Sequence, residues 1–172
     1  MPVKIISELE VWDLFHGRQR AFHLEIRDSY HVTEEDEPFR KFLAGEPSDL
    51  DWMADWLTHI RHVTSAGVSV QRARVVSEPL NDYARFLLAI TPENVAAGED
   101  VRYLTREQAE GITLPEDDCW LFDDTALVLI TYHEDGRMDG FCLSDDQELA
   151  AQYSRACSQV WERAIPYSQY VH

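Results

Sequence analysis

Three β-rich runs, Cys119–Phe122, Ala126–Tyr132 and Met138–Leu143, follow one another with only short polar joints between them. The middle run, ALVLITY, is apolar without alternation, as in a strand covered on both faces. It predicts the centre of a sheet, with Leu127, Leu129 and Ile130 buried. Asp123-Asp124 supplies turn residues at the first joint, and Asp135-Gly136 at the second is a strong hairpin signal. Upstream, AFHLEIR (21–27) sets Phe22, Leu24 and Ile26 against His23, Glu25 and Arg27, the period of a half-buried strand. VSVQRARVV (68–76) predicts a second strand, and residues 100–104 a short third.

Between these runs the spacing changes to that of helices. Ser7 and Glu10 match a capping box, opening a helix that stops at Gly17. His31 to Glu37 predicts an acidic loop, closed by a short helix from Pro38. Met53, Trp56, Leu57, Ile60 and Val63 recur at helical spacing in a helix that starts near Ser48 and ends at Gly67. Leu80 to Ile90 predicts another, and Thr91-Pro92 a fresh helix start with Gly98 closing it. Ser144 and Gln147 form a second capping-box pattern ahead of the apolar stripe from Leu149 to Ala164. The expected fold is a single α/β domain over 1–172, with its core at about 7–165 and a short surface tail. Its mixed sheet has about six strands, with helices on both faces.

Composition narrows the function. The chain has 32 acidic and 15 basic side chains, a net charge of −17. That sign argues against direct nucleic-acid binding, which needs clustered Lys and Arg, and favours a basic partner. The three cysteines are odd in number and lie in apolar patterns without C-x-x-C spacing, as buried free thiols do. The first residues carry no apolar run of signal-peptide length, and no segment approaches a membrane span. A cytoplasmic protein is expected.

Motifs for chemistry are sparse. There is no G-x-G-x-x-G, P-loop or G-x-S-x-G, so the common nucleotide and hydrolase fingerprints are missing. His59 and His62 share a helix face without a supporting Cys or carboxylate, so no metal or other cofactor is expected. The densest polar group lies at strand ends: Arg27, Asp28 and Tyr30 after the first strand, Arg72, Arg74, Ser77 and Glu78 after the second, and Asn81, Asp82, Tyr83 and Arg85 opening the next helix. Arg27, Asp28, Tyr30, Arg74, Ser77, Asp82 and Tyr83 are the candidate ligand residues. Ligand sites in parallel α/β sheets form at the carboxyl ends of strands. These residues are therefore either a ligand site or a set of Arg–Asp pairs that pins the loops.

LEIRDSY, EDEPFRKFLAGEP, RARVVSEPLNDYARF, TPENVAAGEDVRYL, CWLFDD and HEDGRMDG together resemble the actinobacterial DUF6879 family, from about residue 12 to 167. Members are commonly encoded beside small helix-turn-helix regulators. The resemblance implies a non-enzymatic regulatory protein acting with such a basic regulator, with Glu34, Glu35, Asp36 and Glu37 as the candidate contact. The alternative is a small-ligand sensor, or an enzyme using the Arg/Asp/Tyr cluster. The run from GEDVRYL to AAQYSRACSQVWERA is also similar to half of a phospholipase D-type domain. That chemistry needs His-x-Lys-x4-Asp. Asp118, Trp120 and Thr125 stand at the comparable positions, with Asp123 and Asp124 nearby, so this likeness implies a copy without a nucleophile.

Overall fold

The computed structural model describes residues 3–171 and contains one eight-stranded mixed sheet. Strands β1 (Val3–Ile6), β2 (Arg20–Glu25), β3 (Ser69–Val76), β4 (Asp100–Thr105), β5 (Asp118–Phe122), β6 (Ala126–Tyr132), β7 (Met138–Ser144) and β8 (Ile165–Pro166) lie in the order β1-β7-β6-β5-β2-β3-β4-β8. Only β2, β3 and β4 run parallel, and every other pairing is antiparallel. The crossovers are α3 (Ala54–Ser65) and α4 (Asp82–Ala97), as parallel pairing requires. Helices α1 (Glu8–Asp13) and α2 (Asp36–Ala44) precede them, and α5 (Gln147–Arg163) and α6 (Tyr167–Tyr170) close the chain.

The two faces of the sheet are covered differently. Phe22, Leu24, Ala73, Val75, Cys119, Leu121 and Leu127 point to the side where α5 lays Ala150, Tyr153, Cys157 and Val160. Ala21, Val70, Trp120, Phe122, Val128 and Ile130 point to the other, beneath Val11 of α1, Phe15, and Leu57, Ile60 and Val63 of α3. Burying these two layers supplies the main drive to fold, at about 25 cal/mol per Å² of apolar surface.

The sheet exceeds the expected six strands because both edges come from short segments. VKII pairs with β7 directly before the Ser7 cap, and Ile165-Pro166 pairs with β4. The tail is thus part of the fold: Tyr170 stacks on Tyr103 with ring centroids 4.6 Å apart. With β1 added, β6 is third from an edge and the central pair is β5 and β2. Leu127 and Ile130 are buried as expected, whereas Leu129 is half-buried at the margin of the α5 layer.

Turn chemistry holds at both joints. Asp123 and Asp124 adopt φ of 49° and 61°, a left-handed conformation that Asp tolerates, and Asp123 Oδ1 accepts the N–H groups of Gln19 and Arg20. Gly136 (φ 85°) donates its N–H to His133 O at 2.9 Å. The Ser7–Glu10 capping box is present.

Three helix starts differ from expectation. Ser144 belongs to β7, which runs one residue further than its apolar pattern, and the N-cap of α5 is Asp146, accepting from Glu148 and Leu149. Ser48 bonds its neighbour's carbonyl, and α3 starts after a 3-10 turn at Asp51–Met53. Thr91-Pro92 opens no new helix; α4 runs through it, and the buried Thr91 hydroxyl donates back to Leu87 O at 2.7 Å. The expected acidic loop is a 3-10 turn, Thr33–Glu35, leading directly into α2.

Candidate functional site

Strands β2 and β3 both alternate, and their polar positions fall on the same face. The parallel register sets His23 beside Arg72 and Glu25 beside Arg74. That face lies under α1, α3 and α4, so the strand expected to be half-buried is buried on both sides: Glu25 is 8% exposed and Arg74 5%. The charges therefore meet one another in place of water. Glu25 Oε1 accepts from Arg72 Nη1 at 2.6 Å and lies 3.1 Å from His23 Nε2, and its Oε2 accepts from Arg74 Nε at 2.7 Å. Arg72 also donates to Glu99 Oε1 through Nε and Nη2. Arg74 Nη1 reaches Thr91 Oγ1 and Tyr103 OH at 2.8 and 2.9 Å.

Burial alone would raise the Glu25 carboxyl. The Arg74 and Arg72 guanidiniums outweigh it and hold the group well below the ordinary carboxylate range. His23 is oriented from both sides, stacked on Trp120 at 4.4 Å with Nδ1 2.9 Å from Cys119 O.

Beside this floor stand two tyrosine–carboxyl pairs, in each of which the hydroxyl donates to the acid: Tyr30 to Asp118 and Tyr83 to Glu35. Asp118 also accepts the Ile26 N–H at 2.9 Å. Burial raises Asp118 to about 6, against the pull of Tyr30 and Ile26, and raises Glu35 to about 7, against the pull of Tyr83.

For Glu35 the sign of the linkage is clear. The folded state keeps a proton that the unfolded chain loses near 4.5, so the stability this group contributes is lost as pH rises through about 7. Glu35→Gln stays neutral, so its melting temperature should gain on the parent's between about pH 5 and about pH 8. A difference independent of pH would show that the carboxyl is ionised throughout.

Over the floor opens a cleft of about 1050 Å³, walled by α1, the 3-10 turn, α3 and α4. Four of the five tryptophans line it, Trp12, Trp52, Trp56 and Trp120, together with Tyr30, Tyr83 and Tyr132. Trp12 and Trp56 meet edge to face at 5.7 Å, and Trp12 stacks on His59 at 4.8 Å. Glu8, Glu34 and Asp55 stand exposed on the rim. Such a concave, mostly aromatic cavity with a few convergent polar groups is the form ligand sites take.

The residues expected at the strand ends divide. Tyr30, Arg74 and Tyr83 converge on the cleft. Arg27 lies on the same side, its guanidinium 4.8 Å from the Tyr132 ring centre. Asp28 and Ser77 pin the loops: the carboxylate accepts the Ser77 N–H at 2.9 Å and its hydroxyl at 2.8 Å. Asp82 faces solvent and pairs with Arg85, so it takes no part in the cluster.

Of the acidic segment, Glu34 is on the cleft rim and Glu35 is turned inward to Tyr83. Asp36 pairs with His31, and Glu37 with Arg40. It is therefore not a free acidic loop. Asp118 and Trp120, at the phospholipase D-comparable positions, face the cleft, and Thr125 is exposed in the β5–β6 turn. Among the described residues no group of three or more His, Cys, Asp or Glu is arranged to hold a metal.

His23, Glu25 and Asp118 were not in the expected ligand site; Arg72 was expected only within the strand-end polar group, and Glu35 only as a partner contact. One signal could have found His23, Glu25 and Arg72: opposite charges at alternate positions of two strands joined by a helical crossover, H-x-E and R-x-R, which a parallel register brings into contact.

No curated protein matches the chain. Residues 9–172 match the family described as Domain of unknown function (DUF6879), over nearly the whole length. With that coverage, the chain belongs to the DUF6879 family.

Proposed function

We propose that this protein is a ligand-binding regulatory protein whose ligand occupies the tryptophan-lined cleft. The observation that carries this reading is the combination of an open cavity of about 1050 Å³ with a floor whose charged groups are already oriented by one another. A floor held in this way needs no rearrangement to receive a ligand, which lowers the cost of binding. Action with a basic helix-turn-helix regulator is a second reading, favoured by the net charge of −17. The two are compatible, since ligand occupancy could alter the acidic rim presented to such a partner. A cytoplasmic setting accords with the three free thiols Cys119, Cys142 and Cys157, and no helix among the described residues is long and apolar enough to cross a membrane.

A screen of small organic molecules by thermal melting tests the binding role. A ligand at about a hundred times its Kd stabilises by about 2.7 kcal/mol, which raises the melting temperature by several degrees. Trp56→Ala should fold and abolish that rise, because Trp56 is a half-buried wall residue. Ligand-induced stabilisation that survives Trp56→Ala would place the ligand elsewhere.

A further inference from the structure

We propose that the cleft, on the reading above, takes an organic cation: a protonated amine or guanidinium carried on an apolar or aromatic body. The charges around it are unequal. Its two guanidiniums, Arg72 and Arg74, are already matched by Glu25 and Glu99. Five further carboxyls line the same cavity, those of Glu8, Glu34, Glu35, Asp55 and Asp118. None of the five forms an ion pair among the described residues, whereas acids elsewhere on the surface, such as Glu37, Asp124 and Asp135, pair with arginines. Glu35 and Asp118 already accept the Tyr83 and Tyr30 hydroxyls. A cation entering here therefore meets chiefly the exposed carboxylates of Glu8, Glu34 and Asp55, which have no cation of their own. An anion would meet those carboxylates and two guanidiniums already facing Glu25 and Glu99.

Two observations besides the acids point to an occupant. Asn94 is 3% exposed and lines the cleft from α4, yet its Oδ1 accepts no hydrogen bond among the described residues. A buried acceptor without a donor is rare, and an ammonium or guanidinium N–H would supply one. The walls also suit a cation, because indole faces attract positive charge through their quadrupole. Arg72 already uses Trp56 in this way, with its guanidinium 5.9 Å from the ring centre. Carboxylates set among aromatic rings are how proteins hold alkylammonium groups. The volume is at the upper end of small-molecule sites, about 300–1000 Å³, which leaves room for an apolar body beside the charged head.

The test is isothermal titration of the full chain at low salt, with tryptophan fluorescence read in parallel. The probes are phenethylammonium, 2-phenylethanol and phenylacetate, which share a body and differ in charge. The ammonium should bind at least about tenfold more tightly than the alcohol, and phenylacetate more weakly than either. The rim variant Glu8→Gln/Glu34→Gln/Asp55→Asn changes only exposed side chains, and so should stay folded. It should weaken the ammonium severalfold and leave the alcohol unchanged.

Equal or tighter binding of the alcohol or the carboxylate overturns the cation assignment while leaving the cleft a ligand site. Tighter binding of a short oligolysine peptide than of the amine overturns it in favour of a basic protein segment. If none of the three probes changes the tryptophan signal, the cation assignment falls, and the binding role is decided separately by the melting screen and Trp56→Ala.

Discussion

Glu25→Ala should lower the free energy of unfolding by about 3–5 kcal/mol, the largest effect expected of any single charge removal in this chain. The carboxylate is the shared acceptor of Arg72, Arg74 and His23, and it is almost wholly closed from water. Removing it leaves Arg74 with neutral partners alone, Thr91, Tyr103 and the Leu87 carbonyl. Arg72 keeps Glu99. An unmatched guanidinium in a low-dielectric layer is what makes breaking such pairs so costly. The urea midpoint should fall with an unchanged slope. A loss below about 1 kcal/mol, as for an exposed pair, would mean that water reaches the network freely. Well-packed apolar residues can stabilise a core as well as buried ion pairs do. The network is therefore better understood as shaping the cleft floor than as a stability device.

Trp120→Ala should cost about 3–5 kcal/mol for a different reason. This side chain is 5% exposed and joins the floor to the core. It stacks on His23, meets Phe15 edge to face at 4.9 Å, and lies 5.8 Å from Trp56. Its removal opens a cavity between β5 and α3 and frees the His23 ring. Trp120→Phe should recover most of the loss, because it refills much of the volume. If Trp120→Ala and Trp56→Ala were equally mild, the division between a structural floor and a binding wall would be wrong.

Much of the fold is legible in the residues themselves. ALVLITY, Asp135-Gly136 and the Ser7–Glu10 box lead directly to β6, its hairpin and α1, because each is a local signal that local geometry satisfies. The misreadings arise where distant partners decide. Ser144 has the pattern of a helix cap, but pairing with β1 and β6 claims it for a strand. Thr91-Pro92 has the pattern of a helix start, but Arg74 and Tyr103 bind the Thr91 hydroxyl and hold it inside α4. Val3–Ile6 is too short to stand out without the strand it pairs with.

The site follows the same rule. Tyr30, Arg74 and Tyr83 could be found because they lie near strand ends, where ligands bind in such sheets. Arg72 could be found in the same way, but His23 and Glu25 were hidden by their alternation, which ordinarily marks a solvent-facing side. Only the helices laid over that face turn an apparent solvent side into a buried floor. Glu35 was hidden in an acidic run whose other members do face solvent.

The most direct test of the cleft as a binding site is fluorine NMR of protein carrying 5-fluorotryptophan, recorded with and without a saturating ligand from the melting screen. The five resonances divide by position: Trp12, Trp52, Trp56 and Trp120 line the cleft, and Trp161 belongs to α5 and packs against Phe22 on the opposite face of the sheet. Ligand should shift the resonances of the wall residues Trp12, Trp52 and Trp56 and leave Trp161 in place. A ligand that stabilises the protein yet moves Trp161, or moves none of the cleft tryptophans, would contradict it.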